Sequence, residues 1–286
     1  MSGHAPIICG IDGSRNCRLA ARTARKLSEQ LSAPLVLVHV VPPRPPMPLA
    51  AVPLAGQPVA TAQMAELDQF ETEAAFDSVS DELTGAAAEY ITERGYAAAR
   101  ISALADARDA RVIVVGTRGV GAAQSALLGS VSQELAADAS RPVIVVPEQS
   151  DGKFGPGPVV CGVDGSEHAQ AAAQVAAQMA QDLQCALTLV SVRTSRRTGD
   201  GVAAGLSAMT AVTAAVEHVE RAVISGDPAI ELIRAAADRN AALLIVGSRG
   251  RGPVRAALLG SVSAATARHA HCPVLIVPPA VAVPEA

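Results

Sequence analysis

The chain has 286 residues, half of them apolar but only 2% aromatic, and it carries a formal net charge of −4. This length favours two domains, and a core built from Ala, Val, Leu and Ile is typical of helices packed on parallel strands. The near-neutral charge and the scarcity of aromatics argue against a nucleic-acid partner, because such a partner needs a basic surface or a stacking platform.

The N-terminal sequence MSGHAPIICG has no basic region followed by a long apolar run, so we expect no signal peptide. No apolar stretch approaches the roughly 20 residues of a membrane span. The five cysteines are scattered, without a CxxC pair, and no histidine cluster has metal-ligand spacing. These features predict a cytoplasmic protein with no metal site and no membrane partner, in which the cysteines are small buried side chains.

The first predicted strand and helix occur twice. PIICGIDGS at 6–14 recurs as PVVCGVDGS at 158–166. The serine that ends each segment is suited to N-capping, so helices are predicted from Ser14 to Leu31 and from Ser166 to Leu183. Cys9 and Cys161, at matching positions within the strands, are interpreted as core residues.

The middle of the two copies differs. The second strands match, as LVLVHV at 35–40 and LTLVSV at 187–192. The first copy then has seven prolines in 42–58, which predict an extended or mobile surface excursion. The second copy has a strand-turn-helix passage at 221–240, whereas 95–111 in the first copy is too short for one. We therefore expect a degenerate third strand in the first copy.

The last part of each copy matches again. The matching segments are VIVVGTRG at 112–119 with LLIVGSRG at 243–250, ALLGSVS at 126–132 and 257–263, and RPVIVVP at 141–147 with CPVLIVP at 272–278. Because the strands are continuous apolar runs, both faces of each sheet should be covered by helices. We predict an α/β protein of two tandem doubly wound open parallel sheets, Rossmann-like, each with strand order 3-2-1-4-5. The expected domains are 1–148 and 158–286, joined by a polar, Gly- and Pro-containing linker at 149–157.

A glycine pattern follows the fourth strand of each copy and predicts a phosphate site. Two closely spaced glycines allow the backbone to approach an anion and point N–H groups at it. The later Gly-Ser opens a helix whose dipole favours negative charge, with Ser130 expected as N-cap and Gln133 as its capping-box partner. The hydroxyls of Ser130 and Ser132 are expected donors to the anion. The candidate residues are Gly116, Thr117, Arg118, Gly119, Gly129, Ser130, Val131 and Ser132, and Gly247, Ser248, Arg249, Gly250, Gly260, Ser261, Val262 and Ser263.

Simpler interpretations of individual residues stay open. Glycines are common in turns between a strand and a helix, so a single GxxG pair is weak evidence for a ligand site. Here, however, the full glycine spacing is present twice. Asp12, at the end of the first strand, either caps the next helix or contacts the ligand. Arg118 and Arg249 are either ligand contacts or solvated surface side chains, and His39 is interpreted as a hydrogen-bonded core histidine.

The G-x₂-G-x₉-G-[ST] pattern, with an Asp ending the first strand, resembles the universal stress protein family in its tandem form. The pattern is complete twice, and the resemblance covers nearly the whole chain. It implies ATP as the ligand, with Mg²⁺ possible through the phosphates. It places adenine and ribose near Ile11, Asp12, Gly13, Val40 and Val41, and near Val163, Asp164, Gly165 and Val192; Ser14 and Ser166 are further candidate nucleotide-binding residues. It also implies a stress-linked regulatory role with a regulatory protein partner of unknown identity.

Other functions compete with this one. A γ-phosphoryl-transferring enzyme should have a lysine in the loop or a carboxylate to orient water, and neither loop has a lysine; slow ATP hydrolysis stays open, as does a nucleotide-free structural module. The sequence lacks the clustered acidic residues of a receiver domain. It also lacks the GxGxxG motif that follows the first strand in dinucleotide dehydrogenases. The apolar last strands, at sheet edges, invite pairing. By the resemblance they join domains, here as a pseudo-dimer within one chain, with a homodimer of chains also possible.

Overall fold

The computed structural model describes residues 5–43, 59–119, 128–152, 154–194, 213–250, 259–279 and 281. The predicted proline-rich excursion therefore lies, beyond Pro43, outside the described residues. The strands are β1 Ile7–Ile11, β2 Leu35–Val41, β3 Ala88–Arg94, β4 Val112–Gly116, β5 Val143–Val146, β6 Val159–Gly162, β7 Leu187–Arg193, β8 Val219–Ser225, β9 Leu243–Gly247 and β10 Val274–Val277. The helices are α1 Arg15–Leu31, α2 Val59–Asp77, α3 Ala97–Ala107, α4 Ser130–Asp138, α5 Glu167–Asp182, α6 Pro228–Asp238 and α7 Ser261–His269.

One ten-stranded sheet runs through both halves, in the order β3-β2-β1-β4-β5-β10-β9-β6-β7-β8. Within each half the neighbouring strands are parallel and follow the predicted order 3-2-1-4-5. The two halves join where β5 pairs antiparallel with β10, with Ile144 opposite Leu275. The last strands thus pair with each other within the chain, and neither of them is left as a sheet edge.

Alternate side chains of each strand enter different hydrophobic cores. Ile7 and Cys9 pack on the face covered by α1 and α5, together with Leu275. Ile8 packs on the opposite face, which α3, α4, α6 and α7 cover, together with Ile276. All five side chains are fully buried. This two-sided burial explains the continuous apolar runs in the sequence and confirms the doubly wound α/β fold.

The expectation of a degenerate third strand in the first half is wrong. β3 has seven residues, like β8, and pairs with β2 over all seven. No β3 side chain is fully buried, only Ala88, Ile91 and Glu93 are partly buried, and Glu89 is exposed and paired with Arg108. β3 is thus a polar strand at the edge of the sheet, where charged side chains protect unpaired backbone. A search for apolar runs therefore misses β3 and looks for the third strand in the residues that follow it, 95–111.

The segment between the halves packs on α1, although its sequence is largely polar. The hydroxyl of Thr23 donates to the carbonyl of Gly152 over 3.3 Å, and Arg22 Nη1 donates to the carbonyl of Asp151 over 2.9 Å. Phe154 is only 2% exposed. Arg111 and Asp182 form an ion pair that joins the two halves directly. The two halves therefore share contacts on the α1 face as well as along β5 and β10.

The strand cysteines are core residues, as the sequence predicts. Cys9 and Cys161 are both fully buried and lie in the core beneath α1 and α5. Burial raises the pKa of the Cys161 thiol to about 12, and it raises the pKa of Cys9 further. Both thiols thus stay protonated near neutral pH, where a thiol is a poor nucleophile.

Of the helices in the described part of the chain, none combines the length and apolarity that a bilayer span requires.

Candidate nucleotide-binding site

Each half contains a cavity at the carboxyl ends of its strands, where the strand order reverses. The cavity volumes are about 780 Å³ in the first half and about 310 Å³ in the second, within or near the range of small-molecule sites. The predicted residues that line the first cavity are Ile11, Asp12, Gly13, Val40, Gly116, Arg118, Gly119, Gly129, Ser130, Val131 and Ser132. Those that line the second are Val163, Asp164, Val192, Gly247, Arg249, Gly250, Gly260, Ser261, Val262 and Ser263.

The remaining predicted residues lie beside the cavities without lining them: Ser14, Val41, Thr117, Gly165, Ser166 and Ser248. Their hydrogen bonds shape the surrounding backbone. Ser14 accepts from the N–H of Cys17 and Ser166 from that of Ala169, over 3.2 Å in both cases. Both serines are the N-caps that the sequence predicts for α1 and α5.

The aspartate at the end of the first strand shapes the turn beneath each cavity. Asp12 Oδ1 accepts the N–H of Ser14 over 3.1 Å. Asp164 Oδ1 accepts both the N–H and the hydroxyl of Ser166, over 3.0 Å and 2.6 Å. The capping interpretation of Asp12 is wrong, because the N-cap of α1 is Ser14. Asp12 organises the turn before the helix with one carboxylate oxygen and also lines the cavity, and its contact with a ligand stays a prediction.

The loop after β4 meets the end of β1. A Cβ at Gly119 would collide with Oδ2 of Asp12, and one at Gly250 would lie 2.8 Å from Oδ2 of Asp164. The Ser14 hydroxyl also donates to the carbonyl of Arg118 over 3.4 Å. A side chain at either glycine would displace the aspartate carboxylate, so glycine allows the loop and the carboxylate to lie in contact and to line the cavity together.

The expected capping of α4 by Ser130 is wrong. The N-cap is Gly129, and no side chain caps the helix, which begins at Ser130. The same holds in the second half, where Gly260 precedes Ser261. Because the first N–H groups of a helix have no intrahelical partner, both helices present backbone donors and the positive end of their dipole to the cavity.

The two serines of each Gly-Ser-x-Ser segment have different roles. Ser132 is buried, and its hydroxyl lies within hydrogen-bond distance of the carbonyls of Thr117 and Gly129, at 3.0 Å and 2.9 Å. Ser263 donates to the carbonyl of Gly247 over 2.7 Å. These hydroxyls therefore hold the loop against the helix in the structure, and their donation to a ligand stays a prediction. Ser130 and Ser261, by contrast, are exposed at the cavity wall.

Gly116 is required by protein packing more than by ligand access. A Cβ there would lie 2.7 Å from the backbone oxygen of Asn16 in α1. We expect Gly116→Ala to lower the free energy of unfolding by about 1–3 kcal/mol, because α1 would have to move. Gly155→Ala is the control, since nothing lies within 4 Å of its added Cβ, and it should change stability by less than about 0.5 kcal/mol. Urea denaturation measures both, and equal stabilities would contradict the packing role.

The first cavity also has walls that the sequence did not identify. α2 contributes Phe70, Glu71, Ala74 and Ala75, and α3 contributes Ala97 and Ile101. His39 also lines it, while its Nδ1 lies 2.9 Å from the carbonyl of Ile11, so it is the hydrogen-bonded histidine that was expected. In the second half Pro228 and Leu232 of α6 correspond to the α3 residues. The four α2 residues are spaced i, i+1, i+4 and i+5, which places them on one face of a helix, and this spacing is visible in the sequence.

The loop arginines line their cavities and, apart from His39, are the basic side chains among the described lining residues. Arg249 Nη2 also lies 3.7 Å from Oδ1 of Asp138, at the end of α4. Cys17 lines the first cavity as well, and burial raises the pKa of its thiol. The arrangement therefore offers backbone N–H groups, exposed hydroxyls and guanidinium groups, which together suit a polyanion.

Comparisons with known proteins agree with this geometry. The sequence model of the Universal stress protein family matches residues 4–147 and again residues 157–278. A universal stress protein from Mycolicibacterium smegmatis is 30% identical over 295 residues, covering 96% of this chain and 97% of that protein. One from Mycobacterium tuberculosis is 30% identical over 296 residues, covering 94% and 95%. The crystal structure of a universal stress protein from Archaeoglobus fulgidus shares the fold, with a TM-score of 0.69 at 22% identity over 96% of this chain and 98% of its own. The chain therefore belongs to the universal stress protein family, in its tandem two-domain form.

Proposed function

We propose that this protein binds ATP in each of its two cavities and acts as a stress-response regulator that senses or signals through nucleotide occupancy. The observation that carries the proposal is the uncapped N-terminus of α4 and of α7. Each begins at an exposed serine in the cavity wall, next to a glycine loop that touches the first-strand aspartate. Such a helix start is a ready anion site.

The residues fit a nucleotide in an extended arrangement. The phosphates would lie against Gly119, Gly129 and Ser130, where N–H groups and a hydroxyl are available. Adenine and ribose would lie toward Ile11 and Val40, at the apolar end of the same cavity. Mg²⁺ would enter with the phosphates, because it binds in proteins through one or two carboxylates plus substrate phosphates. Asp12 is the carboxylate that we propose for this role.

Regulation is favoured over efficient catalysis by the side chains present. The chain has two lysines, Lys26 and Lys153, and neither belongs to a glycine loop. A P-loop enzyme uses a loop lysine to hold the β- and γ-phosphates. We propose that any ATP hydrolysis is slow. We further propose that residues 1–148 and 158–286 are the two binding domains, and that the protein works in the cytoplasm with a regulatory protein partner.

The direct test is to identify the small molecule that leaves the purified protein on denaturation. We expect an adenine nucleotide, at up to two molecules per chain, and heat on titration of ATP into nucleotide-stripped protein. A phosphate-release assay should show at most slow turnover, whereas fast turnover would make the protein an ATPase. An empty protein that gives no calorimetric response at millimolar ATP would contradict the proposal and leave a nucleotide-free structural module.

A further inference from the structure

The aromatic residues are distributed unequally between the two halves. The chain has three Phe, two Tyr and no Trp, and residues 158–286 contain none of these types. Phe154 is buried in the segment between the halves. The other four are Phe70, Phe76, Tyr90 and Tyr96, all in the first half. An aromatic side chain can therefore line the first cavity but not the second.

Phe70 is the aromatic residue that lines the first cavity. Its side chain is 68% exposed, so it is accessible to a ligand in the cavity. It shares its helix face with Glu71, Ala74 and Ala75, which line the same cavity. Val40 and Ile101 are apolar residues that line the same cavity.

α2 is held in place by contacts on its other faces. Arg94, at the end of β3, pairs with the buried Asp68 over 2.5 Å. Phe76 meets Tyr90 of β3 edge to face, with ring centroids 5.1 Å apart, and lies 6.3 Å from the ring of His39. Because these contacts fix the helix against β2 and β3, Phe70 is kept at the cavity without being part of the core.

We propose that Phe70 stacks on the nucleobase bound in the first cavity and makes this site more selective for aromatic bases than the second. The inference rests on the proposed nucleotide-binding function and adds a specificity-determining residue to one of the two sites. An aromatic ring stacks on any base through its π face. In the second site the described residues Leu232 and Val192 correspond to Ile101 and Val40, and residues 158–286 contain no Phe, Tyr or Trp to make the same stack.

A single-tryptophan reporter tests the contact. Since the chain has no Trp, Phe70→Trp introduces one fluorophore that senses the first cavity alone. ATP should quench its emission, whereas tripolyphosphate, which lacks a base, should leave it nearly unchanged. Tyr96→Trp is the matched control, because Tyr96 is 76% exposed but does not line the cavity. Its emission should not respond to ATP.

Phe70→Ala tests the energetic contribution. By calorimetry its first-site affinity for ATP should fall roughly tenfold, as expected for the loss of one base–aromatic stack. Its affinity for tripolyphosphate should not change, and Phe70→Trp should restore ATP binding. If wild-type protein binds ATP while Phe70→Trp emission is insensitive and Phe70→Ala binds normally, the stacking role is overturned and the nucleotide-binding function stands. If the wild-type protein does not bind ATP at all, both proposals fall.

Discussion

Replacing Ser130 with glutamate should remove nucleotide binding from the first cavity and leave the fold intact. Ser130 is the first residue of α4, is exposed and lines the cavity. A carboxylate there would face the phosphates across a few ångströms. Like charges about 4 Å apart repel by about 4 kcal/mol at the effective dielectric constant near a protein surface. We therefore expect a loss of affinity of at least about 100-fold.

The same substitution should not destabilise the protein, because acidic side chains in the first turn of a helix interact favourably with its dipole by about 0.3–1 kcal/mol. Ser130→Gln is the control, because glutamine is nearly equal in size to glutamate but uncharged. This variant should bind ATP with an affinity within a few-fold of wild type. Ser261→Glu should act likewise on the second cavity. Calorimetric stoichiometry should fall by one nucleotide in each single variant and to zero in the double variant. Undiminished binding to the double variant would place the phosphates elsewhere.

Truncating the side chains at the junction of the halves should destabilise the whole chain. Ile144 of β5 and Leu275 of β10 are directly opposite each other and fully buried. Both belong to the core that α1 and α5 share. Ile144→Ala or Leu275→Ala should each lower the free energy of unfolding by about 2–5 kcal/mol, because each leaves a cavity in a packed core.

Urea denaturation followed by circular dichroism measures this effect. The two substitutions should not be additive in the double variant, since the side chains are in contact. Ile230→Ala is the matched control, because Ile230 is 55% exposed, and it should change stability by less than about 0.5 kcal/mol. We expect a single unfolding transition whose midpoint moves to a lower urea concentration in each core variant. Two transitions, of which only one shifts, would mean that the halves unfold independently.

Several parts of the site could be predicted because they depend on short stretches of chain. The Ser14 and Ser166 caps involve residues three positions apart. The glycine spacing likewise identified most of the cavity-lining residues of both loops. Local geometry of this kind follows from side-chain chemistry and backbone preference, so sequence patterns indicate it well.

Sequence patterns are less informative where a contact with another element gives a residue a further role. Ser132 was expected to donate to a ligand, but its hydroxyl is oriented by the carbonyl of Thr117, fifteen residues earlier in the chain. Gly116 was assigned to ligand access, but the backbone of Asn16 lies where its side chain would be. β3 was missed because its position at the sheet edge allows a polar sequence.

The amino-acid sequence by itself determined the tandem repeat, the strand order within each half and the positions of the two glycine loops, because strand periodicity and turn chemistry are local properties. The tertiary structure alone decided that β5 and β10 run antiparallel in one continuous sheet, that Gly129 and not Ser130 caps α4, and that Phe70 faces the first cavity. The physical reason is that these features depend on which distant surfaces pack together. That choice is made by the burial of whole faces, which no single segment of the chain encodes.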